Sequence, residues 1–284
     1  MASKPLIRSK PKARDTVLKP VRPNAGLEAI FRRKLDAMIT EMHASVLYWV
    51  KSAYNRNEPQ ISILARDESP AAALRAAMKR LASRWLRNFD EAATNLAKWF
   101  ATAVHKRSDA VLKKILRDGG FSVEFKMTPA MNDALQATIG EQVGLIKSIP
   151  AQYLTSVEGM VMRSVQAGRD VGGLAADLEK AFGVTKRRAA FIAQDQNNKA
   201  TATFTRVRQL ASVGPDAEAL WIHSTAGAKP RPTHVKASRD KVRYKVAQGW
   251  FDPAVEEFIL PGSLPNCRCC SRLIIPALDK RATA

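Results

Sequence analysis

The residues of this 284-residue chain best suited to chemistry are its three cysteines, all within Cys267-Arg268-Cys269-Cys270, and two of its four histidines, His223 and His234. One residue separates Cys267 from Cys269, and alternation along an extended segment turns both thiols to one side, with Arg268 and Cys270 on the other. Two thiolates on one side, completed by His234 and His223, could hold a zinc ion in a tetrahedron and staple the segment that carries them. The spacing differs from the usual Cys-x-x-Cys of zinc sites, so a second reading stands beside it. In that reading there is no cofactor, the thiols pack as small apolar groups and the histidines are hydrogen-bonded structural residues. A vicinal disulfide between Cys269 and Cys270 would be strained, and three cysteines in one stretch exclude a disulfide framework.

The same residue types occur in metal-assisted nucleases and cysteine hydrolases. A nuclease groups carboxylates or a histidine base about its metal, and the acids nearest the histidines, Asp216, Glu218, Asp240 and Asp252, form no paired motif. A cysteine nucleophile needs a base within reach, which spacing alone does not supply. The sequence reads as non-enzymatic, with no catalytic residue assigned.

The elements that must position these groups divide at Pro215. Before it the apolar residues recur at three and four. Leu27, Ile30, Phe31, Leu35, Met38, Met42, Val46 and Val50 predict an amphipathic helix over residues 27–55. Ser69 and Pro70 are a start signal for a long helix or helical hairpin that stops at Gly119-Gly120. Its aromatics Trp85, Phe89, Trp99 and Phe100 are expected in the core rather than as a platform for bases. Thr128-Pro129 starts another helix, which Pro150 is expected to end while starting the next, running through Val157, Met160, Val161 and Val165 to Gly168. A short helix near residues 174–182 and a further one capped by Thr185 and ending near Ser212 complete the helical part. After Pro215 short β-like runs at residues 221–223, 244–246, 257–260 and 272–275 alternate with Gly and Pro. This region is too poor in apolar residues to stand alone, so it is expected to lean on the helices or on a metal. The fold class is mainly α, with an elongated helical N-terminal region followed by a small loop-rich α+β C-terminal module.

Forty-six basic residues against 26 acidic give a net charge of +20, which calls for a polyanion nearby. Residues 1–26 carry seven of the basic groups, Lys4, Arg8, Lys10, Lys12, Arg14, Lys19 and Arg22, against one acid, Asp15. With four prolines they read as an extended basic arm that contacts nucleic acid. The remaining excess is spread along the chain, which suits sequence-independent phosphate contact better than base readout. The chain contains neither a run long enough to span a membrane nor an N-terminal apolar signal segment, so a cytosol-like compartment is expected.

One ordered set of residues carries a resemblance. Arg188-Ala189-Ala190-Phe191-Ile192-Ala193 on a helix is followed by Trp221-Ile222-His223-Ser224, then Arg231-Pro232-Thr233-His234, Gly249-Trp250-Phe251, and Pro265-Asn266-Cys267-Arg268-Cys269. This order resembles the phage Mu F-like family of minor head, or head morphogenesis, proteins of tailed bacteriophages, over about residues 160–276. The family's motif falls here on Arg188, Trp221, Arg231, His234, Gly249, Cys267, Arg268 and Cys269. Where the family usually has a glycine about five residues beyond the histidine, this chain has Ser238-Arg239-Asp240.

The resemblance implies a structural protein at the portal vertex inside the virion head, passing through the host cytoplasm during assembly. It would assist head assembly, DNA packaging or ejection. Its expected partners are the phage portal protein, the major capsid or scaffold protein and packaged double-stranded DNA, with no membrane. The alternative is a metal-dependent nuclease or DNA-binding protein delivered with the phage genome. On this reading residues 1–26 are a basic flexible arm, residues 27–158 a helical partner-binding region, residues 159–276 the Mu F-like module and residues 277–284 a tail. The family order also brackets one small core between His234 and the final cysteines, so His234 is expected beside Cys267 or Cys269.

Overall fold

The computed structural model describes residues 7–8, 15–56, 70–167, 171–225 and 229–277. In chain order the elements are β1 (Ile7–Arg8), β2 (Thr16–Val17), α1 (Ala25–Arg56), α2 (Pro70–Asp118), β3 (Phe121–Ser122), α3 (Pro129–Gln166) and α4 (Val171–Val213). They continue as β4 (Glu218–Ile222), α5 (Pro232–Arg239), β5 (Arg243–Lys245), β6 (Trp250–Asp252), β7 (Glu257–Ile259) and β8 (Cys270–Ile275). The protein is mainly α, with a small strand-containing C-terminal region.

The long helices form because their apolar stripes are continuous. In α1, Phe31, Leu35, Ile39, Met42, Val46 and Val50 are all buried, and Asn24 Oδ1 accepts the Leu27 N–H at 3.0 Å to cap the first turn. The α2 stripe runs unbroken, giving one long helix rather than a hairpin; its proposed N-cap, Ser69, lies outside the described residues. Thr128 Oγ1 caps α3 by accepting the Met131 N–H at 3.2 Å.

Two expected helix breaks are absent. Pro150 lies inside α3. An internal proline costs about 3 kcal/mol, but Ile146, Ile149, Tyr153, Leu154 and Val157 on either side are all buried, and ending the helix there would expose half of that stripe. Thr185 does not begin a helix either, because its hydroxyl donates to the Ala181 carbonyl one turn back at 2.8 Å inside α4. The buried series Leu174, Leu178, Ala181, Thr185, Ala189 and Ile192 keeps helical spacing straight through that point. Trp85, Phe89 and Phe100 are core as expected, whereas Trp99 is 36% exposed.

The chain forms two compact units, and α2, α3 and α4 each contribute a stretch to both. One unit comprises Ala29–Lys98 and Gly140–Ala193. Its helical segments bury the stripes just described, and His43 sits in its interior. The His43 ring stacks on Phe182 at 4.3 Å between centroids, with Nδ1 2.6 Å from the Tyr153 hydroxyl and Nε2 3.2 Å from Glu179 Oε1.

The other unit comprises Met1–Glu28, Trp99–Ile139 and Gln194–Ala284. Its main sheet is antiparallel in the order β2-β8-β4-β5, with Trp221 opposite Ser271 and Ala219 opposite both Leu273 and Tyr244. The strand runs expected after Pro215 lie within two or three residues of β4, β5, β7 and β8. The sheet closes over a core centred on the fully buried Trp221, filled by Leu112 and Leu116 of α2 together with Leu18, Val21, Tyr244, Leu273 and Ile275. The thin C-terminal core does lean on helices, through Leu112 and Leu116 of α2 and through Leu210 and Val213 of α4, which pack against it.

The boundaries read from sequence do not coincide with these units. Residue 158 falls inside α3, and residues 159–193 belong to the other unit. The described part of the expected arm is built into the sheet: Thr16 and Val17 pair with Ile275 and Ile274, and Leu18 and Val21 are buried. The physical reason is that β8 would otherwise present an open edge, which two residues of the N-terminal segment cover. Nearby, the buried Arg208 grips Asp109 with two bonds of 2.7 and 2.8 Å and donates to the Lys126 carbonyl at 2.6 Å.

Candidate metal centre: one histidine and two thiols

Helix α5, which the sequence reading missed because its eight polar-rich residues, Pro232 included, give no stripe, carries His234. Arg231 precedes it in extended conformation and Pro232 takes the first helical position, where its missing N–H is harmless. His234 is 2% exposed. Its Nδ1 lies 3.6 Å from Cys267 Sγ and 3.5 Å from Cys269 Sγ. These three form a group of potential ligand atoms all within 4.8 Å of one another. The expected neighbourhood of His234 with the cysteines is therefore present, and with both of them.

The opposite ring nitrogen faces a carboxylate. His234 Nε2 is 3.1 Å from Asp252 Oδ2, and Asp252 is fully buried. Thr233 Oγ1 also donates to Oδ2 at 3.3 Å, and the Ala254 N–H donates to Oδ1 at 3.0 Å. An ionised carboxylate only accepts, so Nε2 is the nitrogen that carries the proton and Nδ1 presents its lone pair to the thiols. The β6–β7 hairpin, which turns over residues 253–256, holds Asp252 in place, and the chain enters β6 through Gly249. There φ is +91°, and a Cβ would stand 2.4 Å from the Ile259 carbonyl oxygen. The aromatic walls are Trp221, edge-on to His234 at 5.0 Å between centroids, and Trp250 at 6.3 Å.

The cysteines arrive on a turn rather than a strand. β8 begins only at Cys270, so strand alternation does not place Cys267 and Cys269; the bend before them does. Gly262 and Asn266 adopt positive φ, and the segment is pinned to α4 through its own polar groups. Asp195 Oδ1 accepts the Asn266 N–H at 2.6 Å, and the Gln194 side chain bonds Asn266 Oδ1 at 2.6 Å and Arg268 at 2.5 Å. Arg231 donates to the Pro265 carbonyl at 3.1 Å, fastening the start of α5 to the same turn. Backbone N–H groups of Cys269 and Gly262 point at the Cys267 sulfur, and that of Ser224 at the Cys269 sulfur.

These surroundings separate the thiols. The Cys269 thiol donates to Cys267, and with the backbone donors it draws Cys267 well below the ordinary thiol range despite burial. Cys269, which gives that hydrogen bond and is itself buried, is pushed up. Burial raises Cys270 to about 11, and its sulfur turns to the Arg268 carbonyl at 3.7 Å, away from the cluster.

Not every residue singled out in the sequence joins this site. His223, half-buried just beyond β4, is not part of the histidine–thiol group. Arg188 lies on the stretch of α4 in the helical unit, where it donates to Ser148 Oγ at 2.8 Å. Lys19 and Arg22 are exposed. Arg8 contributes backbone to β1, and Lys4, Lys10, Lys12 and Arg14 lie outside the described residues. Asp252, which the sequence reading counted only among the acids nearest the histidines, is the side chain that partners His234. It stands 18 residues from His234 with no motif spacing, and only its place on a strand beside a glycine turn could have suggested it. No helix among the described residues is long and apolar enough to cross a membrane.

A protein of Haemophilus influenzae, itself named only as uncharacterized, is 28% identical to this chain over 280 residues. The match covers 97% of the chain and 58% of that protein, so the chain spans less than two thirds of its relative's length. No protein-family model matches the chain, and no solved structure matches it.

Proposed function

We propose that the chain is a non-enzymatic minor head protein of the phage Mu F-like kind, placed at the portal vertex inside the virion head and reached through the host cytoplasm. In that place it assists head assembly, DNA packaging or ejection, with portal protein, major capsid or scaffold protein and packaged double-stranded DNA as its neighbours. The observation that supports the reading most is convergence. Trp221, His234, Gly249, Cys267 and Cys269, which carry the resemblance from five separate points of the sequence, all gather about one buried core. The net charge of +20 supports a position against packaged DNA, where phosphate neutralisation releases counterions without base readout. The burial of His234, Asp252 and both thiols disfavours the nuclease alternative, because a general base must reach the bond it serves.

The test is co-expression with the portal protein of the same genome. Copurification of the chain with assembled portal rings is the expected result, and no nicking of plasmid DNA should appear with added divalent metal. Free chain that leaves the rings empty, or metal-dependent plasmid cleavage lost in an Asp252→Asn variant, would overturn the reading.

A further inference from the structure

We infer that His234 Nδ1, Cys267 Sγ and Cys269 Sγ bind a structural zinc ion, with Asp252 as the positioning carboxylate behind the imidazole. The argument is geometric. A tetrahedral zinc with bonds of about 2.3 Å to sulfur and about 2.0–2.1 Å to nitrogen sets its sulfur and nitrogen ligands about 3.5 Å apart. The two observed separations are 3.5 and 3.6 Å. Simple packing of a thiol against an imidazole requires only one such contact; here two sulfurs meet the same nitrogen on the side that carries the lone pair.

The surroundings complete the pattern. Metal-bound imidazoles are commonly oriented by a carboxylate on the far nitrogen, which fixes the tautomer and raises ligand basicity. Asp252 does this at 3.1 Å while fully buried, and Thr233 and the Ala254 N–H hold it in turn. Three backbone N–H groups, from Gly262, Ser224 and Cys269, are aimed at the two sulfurs. Such donors stabilise thiolate charge, as a bound cation demands. Two thiolates and one imidazole select zinc among the common divalent ions and supply three of its four tetrahedral corners. The thiol protons leave to solvent when the ion binds. The ligands come from α5 and from the turn before β8, and the supporting carboxylate comes from β6, so one ion ties together three segments of a small sheet.

The full-length chain purified without chelator should contain about one zinc per molecule by elemental analysis. Cobalt exchanged into the site should show a thiolate-to-metal charge-transfer band. Cys267→Ser and His234→Ala should each lose the metal, whereas Cys270→Ser, which alters the neighbouring thiol outside the group, should keep it. Because the first two variants can also fail to fold, Asp252→Asn supplies a milder check: zinc affinity should fall about 10- to 100-fold with the ligands intact. Alkylation gives an independent measure, with Cys267 and Cys269 protected in the native protein and reactive after chelation. A metal-free native chain whose thermal midpoint and thiol reactivity do not respond to zinc or chelator would overturn the inference. So would a Cys267–Cys269 disulfide found by mass spectrometry of the native protein.

Discussion

At the residue scale, Gly249 and His105 give the sharpest expectations. Gly249→Ala forces an L-residue into φ +91° and a Cβ against the Ile259 carbonyl. Strain of this kind costs about 1–3 kcal/mol before the clash is counted, so thermal or urea unfolding should show a loss at least that large. His105 is buried beside Asp109, Arg208 and Lys106; desolvation is the main influence, and its pKa falls below the ordinary 6.5. A lowered histidine pKa means that the unfolded chain takes up a proton first as pH drops. The stabilisation is therefore present above pH 6.5 and is lost as pH falls below it. Urea unfolding at pH 7.5 and 5.5 should show a smaller pH difference in His105→Asn than in the native chain. The meeting of His234 with the cysteines was legible through the resemblance, whose order of motifs brackets one small core between them, and not through any local spacing, since 33 residues separate His234 from Cys267. The sequence could not reveal Asp252, whose partnership exists only once a hairpin folds back, and it enlisted His223 on residue type alone.

Elements were read best where a stripe runs without interruption. The period of three and four located α1 and α2 to within a few residues, since burial of one face decides the matter whatever lies on the other. The same stripe explains the two misplaced ends: Pro150 and Thr185 are local stop and start signals, and both yield to a longer apolar series. Periodicity also overreached at Trp99, which shares α2 with Trp85 but is 36% exposed. The two tryptophans should behave differently. Trp85→Ala should cost about 3–5 kcal/mol and Trp99→Ala about 1 kcal/mol or less, as read by chemical unfolding. Equal losses would place Trp99 in the core. The short α5 escaped notice because eight residues make barely two turns, too few for an apolar stripe to repeat, though the proline at its first position was a signal available in the sequence.

For the whole molecule, charge was legible and connection was not. Composition alone calls for a polyanion, but nothing in the local sequence of residues 15–24 announces that Thr16 and Val17 finish a sheet begun near residue 270. The two facts separate in one truncation series. Removing residues 1–14 takes away Lys4, Arg8, Lys10, Lys12 and Arg14, and should flatten the log–log salt dependence of duplex DNA binding by up to about 0.9 per lost phosphate contact. Removing residues 1–24 also strips β2, Leu18 and Val21 from the core and should lower stability by about 3 kcal/mol or more. An unaltered salt slope in the shorter truncation would assign those five cations to a protein partner. The pairing of β2 with β8 also has a consequence during synthesis. The Leu18 carbonyl is bonded by Arg272, 254 residues downstream. At ~5–20 residues per second the ribosome needs roughly 13–50 s to deliver that partner. Leu112 and Leu116 of α2 reach Leu18 and Val21 early in synthesis, but the backbone partners of Thr16, Val17 and Leu18 come only with β8, the last strand described.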